Sequence, residues 1–214
     1  EMSAEEIKHD KQKKTINYKN ASLKIYDKKV FYFPKFFHPD PSVKRQSGFL
    51  RPQLNESSIL GTSFYLPYFK VLSENKDLTI RPTLFDSKIY MIQGEYRQEN
   101  KNSSFIADLG YTKGYKSPLQ NNKNSLLHIF ANFNKNLELE NFVTSNLTTS
   151  LQKVNNDTYL GVFDNSFSET LLASANKNVM SSSAKIILDS EDYSFDAGIN
   201  VYENLKLQNS DRYT

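Results

Sequence analysis

The chain has 214 residues and a formal net charge of +3, with 38% hydrophobic and 13% aromatic residues, no Cys and no Trp. The lack of Cys excludes a disulfide scaffold, a thiolate nucleophile and any Cys-ligated metal or iron–sulfur site within this sequence. Its longest apolar run, Phe64 to Phe69, falls far short of the ~20 residues of a spanning helix, whereas a spanning strand needs only about 9–11, half of them polar.

Charge divides the chain. Residues 1–47 carry 11 Lys+Arg against 6 Asp+Glu, and residues 48–214 carry 16 against 18, so the basic surplus lies wholly in the first part. There, short strands are predicted near 3–9, 14–19, 21–26 and 29–34, with charged turns at His9 to Lys14 and Asp27-Lys28-Lys29. Pro34-Lys35-Phe36-Phe37-His38-Pro39-Asp40-Pro41 follows. This proline density is expected to end sheet pairing and make a stiff connector, which puts a domain boundary near 35–46.

From residue 48 the dominant period is two, the signature of half-buried strands. Leu78, Ile80, Pro82 and Leu84 face away from Thr79, Arg81 and Thr83. Phe105, Ala107, Leu109 and Tyr111 alternate with Ile106, Asp108, Gly110 and Thr112; Leu127, Ile129, Ala131 and Phe133 alternate with His128, Phe130, Asn132 and Asn134. The same holds for Tyr193, Phe195, Ala197, Ile199 and Val201 against Ser194, Asp196, Gly198 and Asn200. Polar clusters at 73–76, 98–101, 116–124 and 155–157 read as turns, and their spacing predicts about ten strands. The stretch 165–184 reads equally as a strand pair or a loop. A polar excess of 22 Asn and 24 Ser favours disorder, but 13 Tyr and 15 Phe argue for an ordered, aromatic-rich sheet.

Prolines fall inside otherwise convincing strands: Pro52, Pro67 and Pro82. Each lacks an N–H and removes a ladder hydrogen bond worth about 1 kcal/mol net, so prolines in consecutive strands predict a weakly paired seam. Glu1-Met2 precedes no apolar signal core and Arg212-Tyr213-Thr214 stops without a closing turn, which predicts a piece of a longer protein.

One stretch carries a family resemblance. Val30-Phe31-Tyr32-Phe33-Pro34, then His38-Pro39-Asp40-Pro41-Ser42-Val43-Lys44-Arg45-Gln46-Ser47-Gly48-Phe49-Leu50, then Pro52 and Leu66-Pro67-Tyr68-Phe69 resemble the outer-membrane lipopolysaccharide-assembly proteins of the LptD, or organic solvent tolerance, family. Asp77-Leu78-Thr79-Ile80-Arg81-Pro82 and Gly94-Glu95-Tyr96-Arg97 are similar to strands that follow in that family, and Asn156-Asp157-Thr158-Tyr159-Leu160 resembles a further segment.

The resemblance implies an all-β chain: the end of a periplasmic β-jellyroll over 1–40, a junction at 41–47, and the opening antiparallel strands of a large outer-membrane barrel over 48–214. It implies lipopolysaccharide as the cargo, a plug lipoprotein inside the barrel, and a periplasmic bridge protein docking upstream of residue 1. Acyl chains would lie on Ile16, Tyr18, Leu23, Ile25, Phe31 and Phe33, which as residues alone would equally fill a small sandwich core. They would leave by a lateral gate at Gly48, Phe49, Leu50, Pro52 and Pro67, while sugars pass through the lumen. Lys44 and Arg45, with Lys8, Lys11, Lys13 and Lys14, are candidates for phosphate contacts.

Other chemistries find less support. His9, His38 and His128 stand in different settings, with His128 on the lumen or core side of its strand, and no catalytic grouping emerges. Asp189, Glu191 and Asp192 lack EF-hand spacing, so no metal or cofactor is expected. The net acidity after residue 48 argues against nucleic acid. The alternatives are another outer-membrane barrel, such as a porin, which has no preceding jellyroll, and a secreted β-rich adhesin.

Overall fold

The computed structural model describes residues 2–214 except 26–27, 44, 87, 116–124, 168–169, 171, 175 and 208–210. The chain divides into two compact units, Glu1–Gln46 and Ser47–Thr214. Both are antiparallel sheets.

The first unit holds β1 (Met2–Ser3), β2 (Glu6–Asp10), β3 (Thr15–Ile25) and β4 (Lys28–Pro39). β3 pairs with β1 and β2 along one edge and with β4 along the other. The strands predicted at 14–19 and 21–26 are one strand. Asn20 adopts a φ of 50°, which Asn tolerates better than most residues, and the pairing with β4 keeps its register across it. The expected proline break is also overturned: β4 runs through Pro34 to Pro39, with Thr15 opposite Pro39. Among the described residues β4 pairs on one edge only, and an edge strand tolerates residues that lack an N–H.

The second unit is an eleven-stranded sheet. Its strands are β5 (Gly48–Phe49), β6 (Gln53–Ser57), β7 (Gly61–Tyr65), β8 (Tyr68–Ser73), β9 (Lys76–Phe85), β10 (Tyr90–Glu99), β11 (Ser103–Lys113), β12 (Ser125–Asn136), β13 (Thr144–Val154), β14 (Val179–Asp189) and β15 (Ser194–Asn204). From β9 to β15 each strand pairs with the next. One end of the sheet carries turns 74–75, 100–102, 137–143 and 190–193; the other carries 58–60, 86–89, 114–124 and the long stretch 155–178. These are called the turn end and the loop end. Gly61, with φ of 73°, ties two loop-end turns together, because Asp86 fills the space a Cβ would take and accepts the Thr62 N–H at 3.1 Å.

The ambiguous stretch 165–184 is neither a strand pair nor a plain loop. After α1 (Tyr159–Val162) comes a 3-10 turn at Asp164–Phe167, and β14 begins only at Val179. Tyr159, Leu160, Phe163 and Leu172 pack onto one face of the sheet against Leu60, Phe85, Ile89, Met91, Leu126, Phe130, Val154, Met180 and Leu205. This covered face holds the core; among the described residues the other face is bare.

Candidate functional site

The two faces differ in the sense opposite to a water-soluble sheet. Leu84, Tyr90, Ile92, Leu109, Tyr111, Leu127, Ile129 and Leu151 are exposed on the bare face, whereas Asp77, Thr79, Arg81, Thr83, Gln93, Glu95, Asp108, Thr112 and His128 are buried on the covered one. Aromatics bracket the bare face. Tyr90 and Tyr111 lie toward the loop end, and Tyr96, Phe105 and Phe133 form a contiguous row toward the turn end, with ring centroids 6.0 and 6.5 Å apart.

The predicted gate residues lie together at a real interruption of the ladder. β6 pairs with β7 up to Gln53–Tyr65, and β5 resumes with β8 at Phe49–Tyr68. β9 pairs with β7 up to Tyr65–Thr83 and with β8 from Tyr68–Ile80, in one continuous register. Strand pairing is therefore interrupted at Leu50 to Pro52, at Leu66 to Pro67, and at Pro82 on its β7/β8-facing edge. Three prolines from three neighbouring strands fall in one row, bridged by a Leu50 N–H donated to the Pro67 carbonyl at 2.8 Å. Pro82 does not interrupt its own strand, since it still pairs with Ile92 on β10. Pro52, Phe49 and Leu50 are exposed, Gly48 is half-buried and Pro67 is buried. Phe49 meets Tyr68 edge-on at 5.1 Å.

Of the predicted groove residues, Ile16 and Tyr18 share a face with His38 and Phe36, their partners on β4. Tyr18 lies 5.7 Å from Phe36 and 6.0 Å from His38 between ring centroids. Phe33 is more exposed and its ring lies 5.7 Å from that of Phe36. The side chains of Leu23, Ile25 and Phe31, and all of Lys44, lie outside the described residues. Sequence reasoning missed Phe36 and His38 because it ended the strand at Pro34. A groove of about 510 Å³ runs past Tyr18, Phe36 and Phe37 and is rimmed by Lys8, Lys19, Lys35 and Glu6, with Lys8 on Glu6 at 2.8 Å. Lys11, Lys13, Lys14 and Arg45 are exposed.

The covered face carries two polar groupings. Toward the turn end, Arg81 donates to Glu95 at 3.2 Å, and Arg97 reaches Asp77 at 2.9 Å and Glu95 at 3.6 Å. Buried carboxylates on neighbouring strands are thus each matched by a guanidinium. Nearer the loop end, His128 is fully enclosed. Its Nδ1 meets the Tyr159 hydroxyl at 2.9 Å and its Nε2 meets Asp108 Oδ1 at 3.3 Å, while Thr112 Oγ1 lies 3.5 Å from the Tyr159 hydroxyl. Burial holds the Tyr159 phenol well above its ordinary pKa, so it is a neutral hydroxyl at any physiological pH. Phe130 stacks on the imidazole at 4.7 Å. Gly110 stands directly opposite His128, and a Cβ there would come 2.0 Å from the ring. The Tyr159 partnership spans a loop and had no signal in the local sequence.

No family model matches the chain. Curated relatives do. The chain is 28% identical over 204 residues to LPS-assembly protein LptD of Legionella pneumophila strain Paris, covering 91% of this chain and 24% of that protein. It is 35% identical over 92 residues to LPS-assembly protein LptD of Pseudomonas aeruginosa strain UCBPP-PA14, covering 43% and 10%. It is 27% identical over 148 residues to the LptD of Idiomarina loihiensis, covering 69% and 19%. The chain thus spans a quarter or less of the length of the relatives it matches. Over nine-tenths of its own length, this sequence is similar to one part of LPS-assembly protein LptD.

Proposed function

We propose that the chain is part of an outer-membrane protein that assembles lipopolysaccharide. In this reading 48–214 forms part of a transmembrane barrel wall, 1–40 the last strands of a periplasmic jellyroll, and 41–47 the junction. The observation that carries it is the sidedness of the eleven-stranded sheet, with exposed apolar residues on one face and buried charged and polar residues on the other. A bilayer rewards that arrangement and water penalises it. The bare face then meets lipid, the covered face lines the lumen, and the aromatic rows sit at the two interfaces. Shorter turns at one end and longer loops at the other match the periplasmic and external ends of such walls. The chain enters β5 from the turn end, consistent with a periplasmic N-terminal part.

Transport follows from the two kinds of surface. Acyl chains need an apolar path, offered by Ile16, Tyr18 and Phe36, with Leu23, Ile25, Phe31 and Phe33 as further candidates. Lys44 and Arg45 are the candidate phosphate contacts at the junction. Sugars need a polar path, offered by the Arg81–Glu95–Arg97–Asp77 row. At Gly48, Phe49, Leu50, Pro52 and Pro67 few ladder bonds must break for the opening strands to part, so acyl chains slip sideways into the bilayer while sugars stay in the lumen. The chain makes and breaks no covalent bond in this scheme. A plug lipoprotein in the lumen and a periplasmic bridge protein are its proposed partners. A passive porin fits less well, because the chain itself fills the loop end of the covered face.

The test places a photocrosslinking residue at Tyr18 and, separately, at Leu50 of the full-length protein in living cells. Lipopolysaccharide adducts are expected at both positions. Expression in the outer membrane with no adduct at either would overturn the transport reading.

A further inference from the structure

We propose that Lys88 and Lys113, at the loop-end margin of the bare face, form a binding site for the phosphate group of a lipid in the surrounding membrane. The inference rests on the barrel-wall reading above and adds a ligand site to it. Lys113 ends β11 and stands opposite Tyr90, the first residue of β10. Lys88 lies two residues before Tyr90, in the turn that joins β9 to β10. That turn is tight: Phe85 donates its N–H to the Ile89 carbonyl at 3.0 Å, and Lys88 donates to the Phe85 carbonyl at 3.2 Å. It holds Lys88 at a φ of 61°, where glycine is the usual residue. The neighbouring turn is pressed against it. A Cβ on Gly114 would come 2.8 Å from the Lys88 carbonyl oxygen, and the φ of Gly114 is 97°. This glycine thereby lets the end of β11, with Lys113, lie up against the Lys88 turn.

Two cations drawn together in this way repel, and an anion relieves the repulsion. Elsewhere at the loop end the chain supplies that anion: Lys153 meets Glu203 at 2.7 Å and Lys177 meets Asp164 at 2.6 Å. Among the described residues no carboxylate pairs with the exposed side chains of Lys88 and Lys113. Asp86 accepts the Thr62 N–H at 3.1 Å, and Asp108 is buried on the covered face. The sequence of the 114–124 connection contains no Asp or Glu. The counter-charge is thus left to a ligand, and the surroundings specify its kind. Tyr90, Tyr111 and Ile92 are exposed on the bare face just inside the two lysines. The lysine stems can lie along this apolar margin while their heads reach toward water, at the level of lipid headgroups. A phosphate there accepts charge-assisted hydrogen bonds from both ammonium groups, and its acyl chains run along Ile92 and Leu109. A free phosphate ion would use the lysines alone; a lipid uses the lysines and the apolar margin together.

The experiment uses the full-length protein in detergent micelles, with a photocrosslinking residue at Ile92 and, as a control, at Phe105 toward the turn end. Phosphatidic acid is titrated in, and the adduct yield gives a half-saturating concentration at each position. Saturable adducts are expected at Ile92. Lys88→Gln or Lys113→Gln should raise half-saturation about fivefold and the double variant about twenty- to thirtyfold, the effect of one or two lysines at a charged lipid surface. Diacylglycerol with the same chains, which lacks the phosphate, should label the parent no better than phosphatidic acid labels the double variant. Lys88→Arg with Lys113→Arg should keep the parent's half-saturation, which separates lost charge from lost fold. Yields at Phe105 should not respond to the lysine variants. Equal titrations for the two lipids, or for the parent and the double Gln variant, would overturn the proposal. So would a parallel fall at Phe105, or displacement of phosphatidic acid by excess inorganic phosphate, which would mark a site for the free ion. Adducts at neither position with either lipid would instead overturn the barrel reading and the site with it.

Discussion

Gly110 offers the sharpest test of how the wall is packed. A Cβ at this position would stand 2.0 Å from His128 Cε1 and 2.3 Å from Nδ1. The imidazole cannot retreat, since Asp108 and Tyr159 hold its two nitrogens and Phe130 covers its face. Gly110→Ala must therefore push β11 and β12 apart or expel His128. Overpacking costs about 1–3 kcal/mol, and expulsion also breaks two hydrogen bonds of about 1 kcal/mol each. The expected loss is about 3–5 kcal/mol. It should appear as a lowered denaturant midpoint with unchanged slope when the full-length protein is unfolded from detergent micelles. Gly94→Ala is the control: its Cβ would meet only a Leu78 methyl, at 4.0 Å, and about 0.5 kcal/mol or less is expected. Removing the ring should relieve the strain, so Gly110→Ala with His128→Ala should be more stable than the sum of the two single effects predicts. A Gly110→Ala protein within about 0.5 kcal/mol of the parent, or strict additivity, would refute the reasoning.

Four further outcomes follow from the same geometry. Leu109→Arg on the bare face should impair membrane assembly by about 2–4 kcal/mol if that face meets lipid; unimpaired insertion, measured by folding into vesicles, would count against the wall. Arg81→Met strands Glu95, leaving Arg97 at 3.6 Å as its remaining guanidinium, and a loss of about 3 kcal/mol is expected in the same micelle assay. Pro52→Ala restores an N–H beside the interrupted ladder and should slow lipopolysaccharide export in intact cells, so an unchanged export rate would sink the gate assignment. Asp40 is held below the usual carboxylate range, chiefly by its hydrogen bonds from Ser42 and then by His9. Its stabilising contribution is present above the ordinary carboxylate pKa and should fade as pH falls through the lowered native value, whereas Asp40→Asn should abolish that part of the acid sensitivity.

The parts of the wall that the sequence announced are those that depend on neighbours two residues apart. Alternation sorted Leu109 and Ile129 from Asp108 and His128 without any knowledge of register, because a pleated strand sends successive side chains to opposite faces whatever it pairs with. The prolines were legible for the same reason: a missing N–H is local, and the ladder fails at Pro52 and Pro67. Where the proline rule failed, at Pro34 to Pro39, it failed because the rule's force depends on whether a strand has one neighbour or two, which is a property of the sheet and not of the segment. The segment packed on the covered face is the harder case. Tyr159, Leu160, Phe163 and Leu172 follow neither a two-residue nor a sustained helical period, since they are spaced by the wall they cover and not by their own backbone. The fit of His128 against Gly110 is a register fact, set across a hairpin whose connection runs from 114 to 124, and a loop of that length does not dictate which residues end up opposite one another. A glycine within an apolar–polar alternation and a histidine on the matching face of the next strand were both visible as residues. Their interlock became visible only with the pairing, and it is the pairing that makes one absent methyl group a condition for the His128–Tyr159 contact.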